Sequence, residues 1–143
     1  MLEYAFLGDN PITDITPLSG LPLLKQVSFN EAQIPDLEPL RGKKQLTMVC
    51  LSGCNLADIS PLGECPALSH VYVGRNKLTT LAPLRNCPEI EELFIDYNML
   101  DRDVESFDGL TVNGYIAANG NGFSEEQQEY IRTQVKGNFE AEF

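Results

Sequence analysis

The chain is poor in residues that build metal and nucleophile chemistry. Histidine occurs once, at His70, and the four cysteines include no pair at CxxC spacing. A structural zinc site needs about four N or S ligands brought together, which this inventory does not offer, and neither metal nor cofactor is expected. Positive charge is also scarce, with 10 Lys and Arg against 21 Asp and Glu and a net charge of -11. Nucleic-acid and anionic-membrane binders rely on clustered cations that displace counterions, so the composition argues against both and favours a basic partner, if charge acts beyond solubility. No run of about 18 apolar residues is present, which excludes a membrane-spanning helix. The opening MLEYAFLGDNP carries neither the basic region nor the apolar stretch of a signal peptide, and the expected location is the cytoplasm.

What the chain has is a beat. Ile12, Ile34, Leu56, Leu78 and Leu100 stand 22 positions apart without a slip, and the segments between them fit LxxLxPLxxxxxLxxLxLxxNx. A fixed period of this size marks a solenoid, in which no unit buries its own apolar face and stacking supplies the core. Within LxLxxN the two apolar residues share one side of a short strand: Val27 with Phe29, Val49 with Leu51, Val71 with Val73, Leu93 with Ile95. Equivalent strands then lie side by side in a parallel sheet. The return segments repeat Pro17-Leu18, Pro39-Leu40, Pro61-Leu62 and Pro83-Leu84. Proline fixes φ and removes a donor there, which predicts tight or 3₁₀ turns rather than long α-helices. The amide of Asn10, Asn76, Asn98 and Asn121 is placed to satisfy the turn that leaves each strand, while Ala32 and Cys54 interrupt this column and predict a locally weaker N-terminal half.

ITDITPL, LADISPL and LTTLAPL followed by LxLxxNxL resemble leucine-rich repeats of the 22-residue, bacterial internalin-like class, over roughly residues 2 to 123. The resemblance implies an α/β leucine-rich repeat solenoid: a curved right-handed coil, a parallel sheet on the concave face, turns or 3₁₀ segments on the convex face. It also implies binding rather than catalysis, without naming what is bound. The expected organisation is one domain over 1–143: an N-terminal half repeat (1–11), four 22-residue repeats (12–99), a divergent last repeat (100–123), and a cap helix with tail (124–143). The last unit takes 23 positions to reach Phe123, and the capping-box pattern Ser124 to Gln127 opens a helix over about 125 to 136 that lays Tyr130, Ile131 and Val135 on the final coil. Because the chain starts in mid-repeat, its first strand is read as a cap, a boundary within a longer protein, or an edge that pairs with a second copy. A monomer is the first expectation and an edge-to-edge homodimer the alternative.

Register sorts the remaining residues. The outward columns gather Tyr4, Phe6, Met48, His70, Tyr72, Arg75, Glu92, Phe94, Asp96, Tyr97 and Tyr115 on one surface. Aromatic residues pointing away from a core suggest an interface with a polar rim, so the leading reading is a non-enzymatic protein-binding module. Two alternatives stand beside it: a bacterial immunity or inhibitor protein that covers a basic toxin or enzyme, and a structural or assembly module. His70, Asp96 and Cys50 offer the residue types of a catalytic triad but lie on different coils of an open sheet, which argues against catalysis. Asp14, Asp36 and Asp58 form a column best read as turn caps, and Cys65 and Cys87 share another as small buried groups.

Overall fold

The computed structural model describes residues 1–143. Seven short strands lie side by side in sequence order, all parallel: β1 (Tyr4–Phe6), β2 (Gln26–Ser28), β3 (Met48–Cys50), β4 (His70–Tyr72), β5 (Ile90–Phe94), β6 (Val112–Ala117) and β7 (Glu140–Glu142). Tyr4, Gln26, Met48, His70 and Glu92 stand opposite one another, so the sequence period is the pairing register. Between the outward positions, Ala5, Val27, Val49, Val71, Leu93 and Ile116 point inward and join a core cluster of 36 buried residues. Phe29, Leu51, Val73 and Ile95, the second inward set, are equally buried, whereas Leu7, their counterpart in the first coil, is exposed.

The first four convex segments are 3₁₀ turns at Thr16–Gly20, Glu38–Leu40, Ser60–Glu64 and Ala82–Asn86, each with proline at its start. Asp14, Asp36 and Asp58 each accept a hydrogen bond from the backbone N–H two residues on, at 2.8, 2.9 and 2.8 Å, and Thr80 does the same through its hydroxyl at 3.2 Å. The carboxylate column therefore caps turns. Lys43, Cys65 and Cys87 form a second column whose side chains donate to the carbonyls of Leu18, Leu40 and Leu62 in the coil before. All four cysteines are free thiols, and burial pushes Cys87 up to about 11, so these groups stay neutral.

The Asn column shows where the coils are tied. Asn98 donates its amide to the carbonyls of Val73 and Ile95, each at 3.0 Å, and accepts from Leu78 N–H, also at 3.0 Å. Asn76 makes the equivalent bonds to Leu51, Val73 and Leu56, and Asn121 reaches Ile95, Ala118 and Leu100. Asn10 is exposed, and its amide bonds only to Leu7 and Gly8 of its own turn. Cys54 keeps the donor half of the task, its thiol 3.0 Å from the Phe29 carbonyl, but supplies no amide oxygen to the buried Ile34 N–H. Lys77 and Met99 bond back to Leu56 and Leu78, whereas Asn55 turns to φ 61 and makes no such bond to Ile34. A furrow of about 260 Å³ opens there between Pro35–Glu38 and Asn55–Asp58.

The 23-residue unit is absorbed by a shift in register. Ile90 pairs with Val112, yet Glu92 pairs with Tyr115, so β6 carries one extra residue opposite β5. Gly114 permits it, since a Cβ there would lie 2.2 Å from the Glu91 carbonyl oxygen. The cap helix α1 (Glu125–Gln134) has its capping box through Ser124 and Gln127 and ends two residues short of the expected 136. Ile131 and Val135 are buried over the last coil, and the half-buried Tyr130 donates to the Asp108 carboxylate at 2.9 Å. The residues read from sequence as a tail instead return to the sheet as β7. Gly137, at φ 102 and with no room for a Cβ beside the Val112 carbonyl, lets the chain turn back.

Candidate functional site

Side chains on the outward columns do not serve the core, so their chemistry is available to the surface. On β4, β5 and β6 they form a continuous row of rings: Tyr72 to Phe94 at 5.0 Å and Phe94 to Tyr115 at 5.7 Å between centroids, both tilted. These spacings fall in the range where aromatic pairs attract. Carboxylates are held against the row. The Tyr72 hydroxyl donates to Glu92, and β7 sets Glu140 and Glu142 on the strand beside Tyr115. Partial burial, then the bond to Glu92, lifts the Tyr72 phenol well above its ordinary value, and the neighbouring Glu142 carboxylate is the first cause that raises Tyr115. Both remain protonated donors through the neutral range.

The turns leaving the strands add a second ridge. Asp9, Glu31, Arg75 and Tyr97 occupy the left-handed region, at φ 57, 61, 54 and 54, in the column that Gly53 and Gly120 fill in other coils. A non-glycine residue costs about 1 kcal/mol or more in this conformation, so the fold alone prefers glycine at every one of these places. Tyr97 is nonetheless 58% exposed. Its ring lies across Gly120, where a Cβ would come within 2.4 Å of it, and the Arg75 guanidinium sits 5.9 Å from its centroid. Beneath this pair, Asp96 accepts from the backbone and side-chain N–H groups of Asn119 at 2.9 and 3.1 Å. Tyr72, Arg75, Phe94, Asp96 and Tyr97 line a shallow depression of about 260 Å³.

The expected residues thus divide into two groups. Tyr72, Glu92, Phe94 and Tyr115 form one patch with Arg75, Asp96 and Tyr97. His70 joins its border, opposite Met48, with Nδ1 2.8 Å from the Ser69 hydroxyl and Nε2 3.6 Å from Glu91. Tyr4 and Phe6 pair with each other at 6.2 Å on β1, and the outward Gln26 and Ser28 of β2 separate them from the patch. His70, Asp96 and Cys50 do not converge: each of the first two has other partners, and burial raises the Cys50 thiol. The sequence reading missed Glu140 and Glu142, which β7 adds beside Tyr115 and Ala117. The alternation in Phe139-Glu140-Ala141-Glu142-Phe143 was the available signal for that strand.

Residues 44–86 match the family described as "Leucine Rich repeats (2 copies)". An internalin (inlF) crystal structure from Listeria monocytogenes is similar to 96% of this chain at 26% identity and a TM-score of 0.72, and the chain spans 42% of that protein. An internalin C2 from the same organism aligns with 95% of the chain and 80% of its own length at 18% identity and TM-score 0.36. The functional domain of InlJ, also from Listeria monocytogenes, aligns with 81% of the chain and 31% of its own length at 16% identity and TM-score 0.45. No curated protein sequence matches.

Proposed function

For this chain, a leucine-rich repeat solenoid of internalin-like fold, we propose a specific role: it binds another protein through the β4 to β7 half of the concave sheet, without catalysis. The observation that carries the reading is the unbroken ring row Tyr72, Phe94 and Tyr115, placed where packing does not require it. Large, rigid side chains with few rotatable bonds lose little entropy on contact, and centrally placed aromatics dominate protein interfaces. The four free thiols, three of them buried, fit work in a reducing compartment such as the cytoplasm.

Affinity capture with the intact chain tests this. The double variant Tyr72→Ala with Phe94→Ala is expected to lose the captured protein while its melting temperature stays close to that of the parent. Capture that persists in a folded variant would place the site elsewhere. A second copy of the chain as the captured species would instead support assembly through the first coil, where Tyr4, Phe6 and Leu7 are exposed and Leu7 lines an apolar cavity of about 180 Å³.

A further inference from the structure

The charge of the molecule is not spread evenly over its concave sheet. On β5 and β7 and the turn that leaves β5, the outward side carries Glu91, Glu92, Asp96, Glu140 and Glu142, against Arg75 at the neighbouring turn and Arg132 of α1, which donates to the Ala141 carbonyl of β7 and lies over Phe143. The same region holds the row of rings. Around β1 to β3 the sheet shows the ion pair of Lys25 with Glu3 at 2.8 Å, the neutral residues Gln26, Ser28, Met48 and Cys50, and Asp9 and Glu31 in the turn column of Arg75, so carboxylates are fewer there and no row of rings accompanies them.

Acidity and aromatic faces together limit what can cover this surface. A neutral partner seated on the rings would take water away from Glu92 and Glu142 without replacing it, and uncompensated desolvation of a carboxylate is expensive. An acidic partner would add repulsion. A guanidinium or ammonium group removes both difficulties, because it meets the carboxylates as counter-charge and lies favourably on the negative face of an aromatic ring. The protein already contains this arrangement in Arg75 over Tyr97, at a turn where the backbone would prefer glycine.

Resting on the protein-binding reading above, we infer that the occupant of this face is a cationic, arginine-bearing segment of the partner, its guanidinium groups laid on Tyr72, Phe94 and Tyr115 between the carboxylates of Glu92, Asp96 and Glu142. Arginine is preferred to lysine because its planar group can stack on a ring and bridge a carboxylate in the same pose. β7 is then part of the site, and its two glutamates close the C-terminal end of the seat.

Titration of the intact chain with hexa-arginine, followed by NMR shifts of its tyrosine rings, tests the assignment. Saturable binding is expected, several-fold tighter than for hexa-lysine, with the largest shifts at Tyr72 and Tyr115 and none for hexa-glutamate. Phe94→Ala is expected to weaken it roughly fivefold to tenfold, the size of a partly desolvated cation–π contact, and Glu92→Gln, which removes a charge-assisted contact, by a similar factor. Glu129→Gln, which removes the same charge from the exposed side of α1, should leave it unchanged. Equal weakening by Glu129→Gln and Glu92→Gln, or affinity indifferent to Phe94→Ala in a variant that melts normally, means diffuse attraction to a polyanion and overturns the inference. Absence of hexa-arginine binding while protein capture still depends on Tyr72 and Phe94 also overturns it, and leaves the broader binding role standing.

Discussion

The β1 to β3 half and the β4 to β7 half are built on one repeat and are held together differently. In the second, Asn76, Asn98 and Asn121 each link two coils through buried amides, and α1 with β7 closes the end. In the first, Ala32 and Cys54 stand in that column, the Ile34 N–H and carbonyl find no partner in the chain, and the end coil leaves Leu7 exposed. The ring row and the strained Tyr97 both lie on the tied half. A surface that must keep its shape needs a stiff support, and a backbone conformation that costs energy persists only where its surroundings fix it.

That contrast can be broken most directly at its strongest point. Asn98→Ala removes bonds to three buried backbone groups, and is expected to lower unfolding free energy by about 3 kcal/mol in a denaturant melt. A loss no larger than that of Cys54→Ala would mean the two halves are equally tied. In the opposite direction, Cys54→Asn should restore an acceptor for Ile34 N–H and raise stability by about 1 kcal/mol by the same measurement; a destabilised variant would show that the furrow at Asn55 is required by the fold.

The smallest expected effect is an acid one. Hydrogen bonds from Thr16 and Ser60 hold the Asp14 and Asp58 carboxyls below the ordinary carboxylate value. A carboxyl lowered in the folded state stabilises the fold above its unfolded value, and that contribution is lost as pH falls toward the folded value. Only Thr80, which does not ionise, caps the corresponding turn in the second half. Amide exchange from pH 6 down to pH 3, corrected for intrinsic rates, should therefore lose protection first at Thr16 and Ser60 and last at Ala82. Simultaneous loss at all three would remove the carboxylate caps from the comparison.

The period made the sheet legible because one residue of slip would turn every inward side chain out, so the register had a single solution from Ile12 to Asn98. The proline turns and the capping box were legible for local reasons, since proline fixes φ and Ser124 with Gln127 bond within one turn. The return of Glu140–Glu142 to the sheet was not, because it depends on Gly137 passing the Val112 carbonyl, a contact between residues far apart in sequence. The outward columns could be listed from register alone. Which of their members touch could not, since the tilted contacts of Tyr72, Phe94 and Tyr115 and the bond of Tyr72 to Glu92 follow from side-chain rotamers that spacing does not specify.

Because every coil leans only on its neighbours, the solenoid would respond to a pull on its two ends as a thread wound on a spool rather than as a block. The outermost turn can leave without disturbing the next. Each 22-residue turn that leaves frees chain able to extend about 75 Å, so tension would lengthen the molecule in even steps. The turns with alanine and cysteine in the Asn column would come away at lower force, and those bearing the ring row would hold longest.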